Sequence, residues 1–309
     1  MSFRRRGVFM LGTILALGGA IAAQHGQGGP PQGGHGGGGA MPPPLPESVD
    51  LPAKGASLPL VDSGGRPLID VRINGKGPYR FVVSTGANVT IIDTELNKEL
   101  ELPPAEGVQA AGGATIVNIR ELRMGEISVR GFMGAVMPLA PIFDGENAPR
   151  GIVSAALFQS YLLTWDYPKK RLTLEKGKLD KADQASIFEY SESRPTLPVK
   201  LGTRETRVPL DTSSIYGLTL PLRLLTEIPL AAPAKQAGIR RTSGGEFPVQ
   251  TASLGAPVEI GQHKLQLKEV AFSDARAGSG PPTGSIGCEV LRNFVVTLDT
   301  WNHRIRLTQ

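Results

Sequence analysis

The stretch Gly284-Ser-Ile-Gly-Cys-Glu-Val-Leu-Arg-Asn-Phe-Val-Val-Thr-Leu-Asp-Thr-Trp-Asn-His-Arg-Ile-Arg-Leu307 lies without a gap on Gly151-Ile-Val-Ser-Ala-Ala-Leu-Phe-Gln-Ser-Tyr-Leu-Leu-Thr-Trp-Asp-Tyr-Pro-Lys-Lys-Arg-Leu-Thr-Leu174. Gly151 falls on Gly284, Thr164 on Thr297, Asp166 on Asp299 and Arg171 on Arg304, and the intervening apolar positions agree in character. Such self-similarity marks an internal repeat. Each copy reads as an apolar strand end, a short helix, a long strand through Thr-x-Asp, a tight turn and a last strand. Asp166 and Asp299 stand where a strand meets a turn, where a short carboxylate accepts backbone N–H bonds, so both read as structural.

Upstream of each copy an apolar strand runs into a short polar loop and out into a second apolar strand. The loops are Ser84-Thr85-Gly86-Ala87 and Asp211-Thr212-Ser213-Ser214. Around them the chain alternates apolar and polar residues in short runs punctuated by Asn74-Gly75, Met124-Gly125, Gly202-Thr203 and Ile260-Gly261, as hairpins require. Helical spacing is confined to Thr94 to Leu100, Ser154 to Tyr161, Pro221 to Thr226 and Glu289 to Phe294. These are connectors of one or two turns in a mostly β protein.

Two segments carry a family likeness: Asn74-Gly-Lys-Gly-Pro-Tyr-Arg-Phe-Val-Val-Ser-Thr-Gly-Ala87, and Gly284-Ser-Ile-Gly287 with the Thr-Leu-Asp299 that follows. From about Ser57 to Leu307 the chain resembles the pepsin and retropepsin-like aspartic peptidases, and its bacterial exported members in particular. The resemblance implies two lobes, each a small closed barrel-like β unit, with the active-site cleft between them. Together with the charge pattern and composition of the N-terminal region, it divides the chain into a signal peptide (1–23), a Gly/Pro-rich linker (24–48), a first lobe (49–180) and a second lobe (181–309).

In that family two carboxylates share a proton, one acting as base on a water while the other polarises the scissile carbonyl. Carried over residue by residue, Asp211 takes the second-lobe aspartate position and Thr212 its loop threonine, which ties the loops together across the lobe interface; Thr85 takes the same part in the first lobe. Ser84 stands at the first-lobe aspartate position, and its hydroxyl neither ionises nor acts as a base near neutral pH. Ser213 and Ser154 stand where glycine is expected, which predicts altered loops. Gly86 and Ser213, with Gly112 and Gly113 in the Gly-rich stretch 107–115, are the expected substrate contacts, the latter two as the tip of a flexible hairpin over the cleft. The stretch Arg240 to Glu246 reads either as a second flap or, by preference, as a surface hairpin. Asp211 itself has two other readings, a carboxylate bonded within its own loop or an ancestral remnant. A serine nucleophile at Ser84 would need a held base, and the globular part offers only His263 and His303 for that task.

The chain has 309 residues and a formal net charge of +5. Arg4, Arg5 and Arg6 supply three of those charges and precede an apolar run from Val8 to Ala23, the pattern of a secretory signal, with an uncleaved anchor as the alternative. An exported protein, periplasmic or secreted, is expected, with no nucleic-acid partner and no membrane contact beyond the export signal. The Gly/Pro-rich tract that follows is a tether. His25 and His35 within it lack the fixed geometry of a metal site, and no metal or cofactor is expected. The single cysteine, Cys288, reads as a buried small apolar residue. The sequence therefore predicts a protein that holds an extended peptide or unfolded segment in its cleft with weak or no proteolysis, as a monomer. The alternative is an active endopeptidase using Asp211, with a homodimer as one route to a second aspartate; a structural envelope or adhesive protein is a third class.

Overall fold

The computed structural model describes residues 45–108, 114–140, 142–143, 148–191, 194–242, 245–276 and 281–309, together with the backbone of 10–12. Most of the stretch expected to be a signal peptide and nearly all of the expected tether, like Gly112 and Gly113, lie outside the described residues. Among the described residues no helix is long and apolar enough to cross a membrane.

Strands dominate. Asn74 and Gly75 form the two-residue turn between Arg66–Ile73 and Lys76–Ser84, both at positive φ (49° and 87°), the geometry that favours the Asn-Gly pair. The other punctuated sites also turn strands around, Met124 pairing with Ile127, Leu201 with Arg204 and Ile260 with His263. The four connectors are present, as α-helices at Thr94–Leu100 and Cys288–Leu291 and as 3-10 turns at Ala155–Phe158 and Leu222–Thr226.

The first lobe closes on itself. Thr115–Met124 pairs with both Ile127–Met137 and Arg66–Ile73. From there the sheet runs through Lys76–Ser84, Gly151–Ser154 and Thr90–Asp93 back to Ile127–Met137. The second lobe combines the sheet of Lys235–Thr242, Gly245–Ala252, Val270–Phe272, Leu218–Leu220 and Ser285–Ile286 with a four-stranded sheet built on Thr196–Leu201 and Arg204–Pro209. A bridge between Leu210 and Ile286 joins the two.

A six-stranded sheet connects the lobes, in the order Ile187–Glu189, Arg304–Thr308, Val295–Asp299, Leu162–Asp166, Arg171–Glu175, Ala56–Pro59. At its centre the two repeats meet antiparallel. Thr164 pairs with Thr297, and their hydroxyls lie 3.0 Å apart, so equivalent residues of the repeat face each other across a local two-fold axis. Asp166 and Asp299 do what their placement suggests: Asp166 accepts from the Lys169 N–H, and Asp299 from those of Leu179 and Asn302.

One apolar core runs through both lobes and this sheet, including Trp165, Phe188 and Phe294. A smaller cluster of Leu68, Val82, Ile91, Leu139, Ile142 and Phe143 covers the outer face of the first lobe. The strand Lys76–Ser84 thus has core on both sides at its end, and its alternating pattern gives way to four consecutive buried residues, Phe81 to Ser84. That double burial fixes the loop that follows.

Candidate active site

Each polar loop leaves the barrel of its own lobe and meets the other at the interface. The Thr85 N–H donates to Thr212 Oγ1 (3.1 Å) and the Thr212 N–H to Thr85 Oγ1 (3.3 Å). Each hydroxyl then donates across the interface, Thr85 to the carbonyl of Leu210 (2.6 Å) and Thr212 to that of Val83 (2.8 Å). The four bonds obey the same two-fold relation as the Thr164–Thr297 pair. Both threonines are buried, so the groups have no water to bond instead, and losing any of them leaves an uncompensated polar atom.

Within this frame sit Ser84, Asp211 and Ser213, all buried. Asp211 is 4 % exposed and accepts from the Ser213 N–H at 3.1 Å and, through the same Oδ1, from the Ser213 hydroxyl. Ser84 Oγ lies 2.9 Å from Ser213 Oγ and accepts from the Gly86 N–H at 3.0 Å. The proton order follows from the end of the chain. The Ser213 hydroxyl donates to Asp211, and with that single proton spent it can only accept from Ser84. The positions equivalent in the two loops are therefore one hydroxyl apart, and Ser84's own proton is committed to that relay.

Gly86 packs directly on the carboxyl group: a Cβ there would stand 3.1 Å from Asp211 Oδ1 and 3.4 Å from Oδ2. Ser213 is fully buried and its hydroxyl is spent within the two loops, so it shapes the loop around Asp211. Ser154 is accommodated without disruption. Its hydroxyl donates to the Ala87 carbonyl (2.7 Å) and accepts from the Ala156 N–H (3.2 Å), stitching the segment to the Ser84 loop and capping the short helix. The second lobe keeps Gly287 there because a Cβ would run into the Tyr216 and Ser214 carbonyls. The histidines are engaged elsewhere, His263 at the Leu307 carbonyl and the Phe294 ring, and His303 stacked on Tyr190.

Three residues near Asp211 escape a reading of the sequence. Arg66 is buried, donates from Nε to the Ser213 carbonyl at 3.1 Å, and lies over the Phe143 ring with 4.4 Å to its centroid, so a first-lobe cation pins the second loop. Tyr167, from the turn after Asp166, has its hydroxyl enclosed; burial first, then Cys288 and Asp211, push its pKa well above the ordinary phenol value. Burial, with Asp211 adding to it, also pushes the Cys288 thiol up to about 12, which keeps it a neutral thiol near Thr212, consistent with its reading as an apolar core residue.

Arg240 is the third. The stretch 240–246 belongs to the antiparallel hairpin of Lys235–Thr242 and Gly245–Ala252, yet Arg240 is 2 % exposed and within electrostatic reach of Asp211. At this residue the preferred surface-hairpin reading gives way: the side chain points inward.

Two lobes joined on a shared sheet, with paired loops exchanging threonine hydrogen bonds, give a mostly β, barrel-rich architecture consistent with the aspartic-peptidase fold. Residues 69–154, within the first lobe, match the family described as aspartyl protease. No curated protein matches the chain.

Proposed function

We propose that the protein is an exported peptide-binding member of the aspartic-peptidase group that holds an extended segment between its lobes and cleaves it weakly or not at all. The observation that carries this reading is the relay Ser84–Ser213–Asp211: a hydroxyl stands at the place of the first carboxylate, and a second hydroxyl fills the gap to the one that remains. A single carboxylate cannot supply both the base and the protonated partner that the reaction needs. The strand Lys235–Thr242 gives further support, because Met10–Gly12 of the same chain runs parallel along Ile239–Arg241; an extended segment fits that edge, as in strand-addition recognition. Removal of the leader would free it.

The competing reading, an endopeptidase that borrows a second Asp211 from another copy, is disfavoured by the Thr85–Thr212 and Thr164–Thr297 bonds, since the covalently attached first lobe fills the dyad-related surface. The test is incubation of the protein from residue 24 onward with an unfolded substrate across about pH 3 to 8, alongside fluorescence anisotropy with labelled extended peptides. Binding without cleavage is expected. Cleavage that disappears in Asp211→Asn would refute the reading.

A further inference from the structure

Arg240 is a buried cation without an adequate partner among the described residues. Among the described residues its guanidinium makes one long bond, from Nη2 to Ser285 Oγ at 3.5 Å, and its Nε–H has no acceptor. Directly across the sheet from Ser285 is Thr219, whose hydroxyl is also buried and, among the described residues, unpartnered. Side chains of directly opposed residues in an antiparallel pair share a face, so the Thr219 hydroxyl lies on the side from which Arg240 approaches Ser285. Burial lowers the Arg240 pKa to about 10, with Asp211 and Tyr216 opposing the change, which leaves the group charged at neutral pH. An enclosed charge of this kind is stable only when an opposite charge and hydrogen-bond acceptors complete it. Asp211 does not do so: its Oδ1 is taken by Ser213, and among the described residues it forms no hydrogen bond with Arg240.

The location is equally specific. Ser285 precedes Ile286, whose carbonyl accepts the Asp211 N–H at 2.9 Å, and Arg240 is on the strand edge that pairs with Leu11. These groups therefore adjoin both the remaining site carboxylate and the edge suited to an extended chain. A guanidinium fork with two hydroxyls beside it matches a planar carboxylate.

We propose that Arg240, with Ser285 and Thr219, forms a selectivity pocket that takes the carboxylate side chain of an aspartate or glutamate in the bound peptide. This rests on the peptide-binding reading above and adds the substrate class to it.

Two sets of eight-residue labelled peptides test it, one with a single Glu walked through every position of a Val/Thr/Leu background and one with Gln in its place, against wild type and Arg240→Met. At one position the Glu peptide is expected to bind wild type about tenfold or more tighter than its Gln twin, and Arg240→Met is expected to abolish that difference while melting no lower than wild type. Equal affinity of Glu and Gln peptides at every position overturns the proposal. So does a Glu preference that survives in Arg240→Met, or an equal loss of both peptides with a lowered melting temperature, which marks a purely structural arginine. If neither set binds wild type, the peptide-binding reading fails by itself, and melting with N-acetyl-glutamate amide against N-acetyl-glutamine amide then decides the pocket. Stabilisation of wild type by the acid alone, absent in Arg240→Met, keeps it; no stabilisation overturns it.

Discussion

Replacing Ser84 with aspartate puts a second carboxylate one hydroxyl away from Asp211, given the 2.9 Å contact of Ser84 with Ser213 and the bond from Ser213 to Asp211. At a separation of about 4 Å and an effective dielectric constant of about 20, two such charges repel by about 4 kcal/mol. The pair avoids this by keeping a proton, whose affinity rises about a thousandfold because each 1.36 kcal/mol is a factor of ten. The sign follows from linkage: folded Ser84→Asp binds more protons than the unfolded chain, so its stability falls as pH rises. Relative to wild type, the variant should cost little below about pH 4, lose ground progressively up to about pH 7, and reach a plateau of a few kcal/mol above that. Urea denaturation of both proteins at a series of pH values measures the difference. A difference that does not change with pH would show that position 84 does not face Asp211, and the pairing of the loops would be wrong. The same variant should not recover full proteolysis, because the Ser213 hydroxyl still occupies the gap between the carboxyl groups; Ser84→Asp with Ser213→Gly should cleave faster than Ser84→Asp alone.

Two other outcomes follow from the buried bonds and the buried thiol. Thr85→Val strips the Leu210 carbonyl and the Thr212 N–H of their partner and should destabilise the protein by about 3 kcal/mol in urea titration, with Thr212→Val less than additive on top of it because the two share one network; a change within about 0.5 kcal/mol would remove the threonine exchange as a source of lobe cohesion. Cys288, raised to about 12 by burial, should resist a disulfide reagent in the native protein at about pH 8 and react once the chain is unfolded in guanidinium. Because its folded pKa lies above the unfolded one, its contribution also declines as pH climbs past the ordinary thiol value; rapid native reaction would contradict the burial.

Much of the architecture was legible because it rests on local rules. The Asn74-Gly75 turn, the four short connectors and the alignment of Gly151–Leu174 with Gly284–Leu307 all follow from residue type and spacing, and Asp166 and Asp299 announce their turn-holding role by position. The surroundings of Asp211 were less legible. Arg240 sits beside Arg241 near a Gly-Gly tip, a pattern that reads as a solvated end, and only the packing of the hairpin against Ser285 turns it inward. Arg66 opens a strand just before Pro67 and is covered from 77 positions later in the chain, by Phe143. Tyr167 reaches Cys288 from the opposite lobe. Each of these depends on a long-range contact that no local pattern encodes. Ser154 shows the converse case: a residue that looked like a defect in the repeat has become a stitch and a cap.

The pairing of Thr164 with Thr297 also governs when the molecule can exist at all. The two residues are 133 positions apart, and Val295–Asp299 is the last strand but one. During synthesis the free edge of Leu162–Asp166 must wait until Val295–Asp299 has been made before it finds its neighbour, and closing so long a loop is a slow, entropically costly step. A chain stopped short of its final dozen or so residues would expose an open sheet edge to its neighbours. The same central seam that gives the finished protein its symmetry thus makes the arrival of Val295–Asp299 a checkpoint on its assembly.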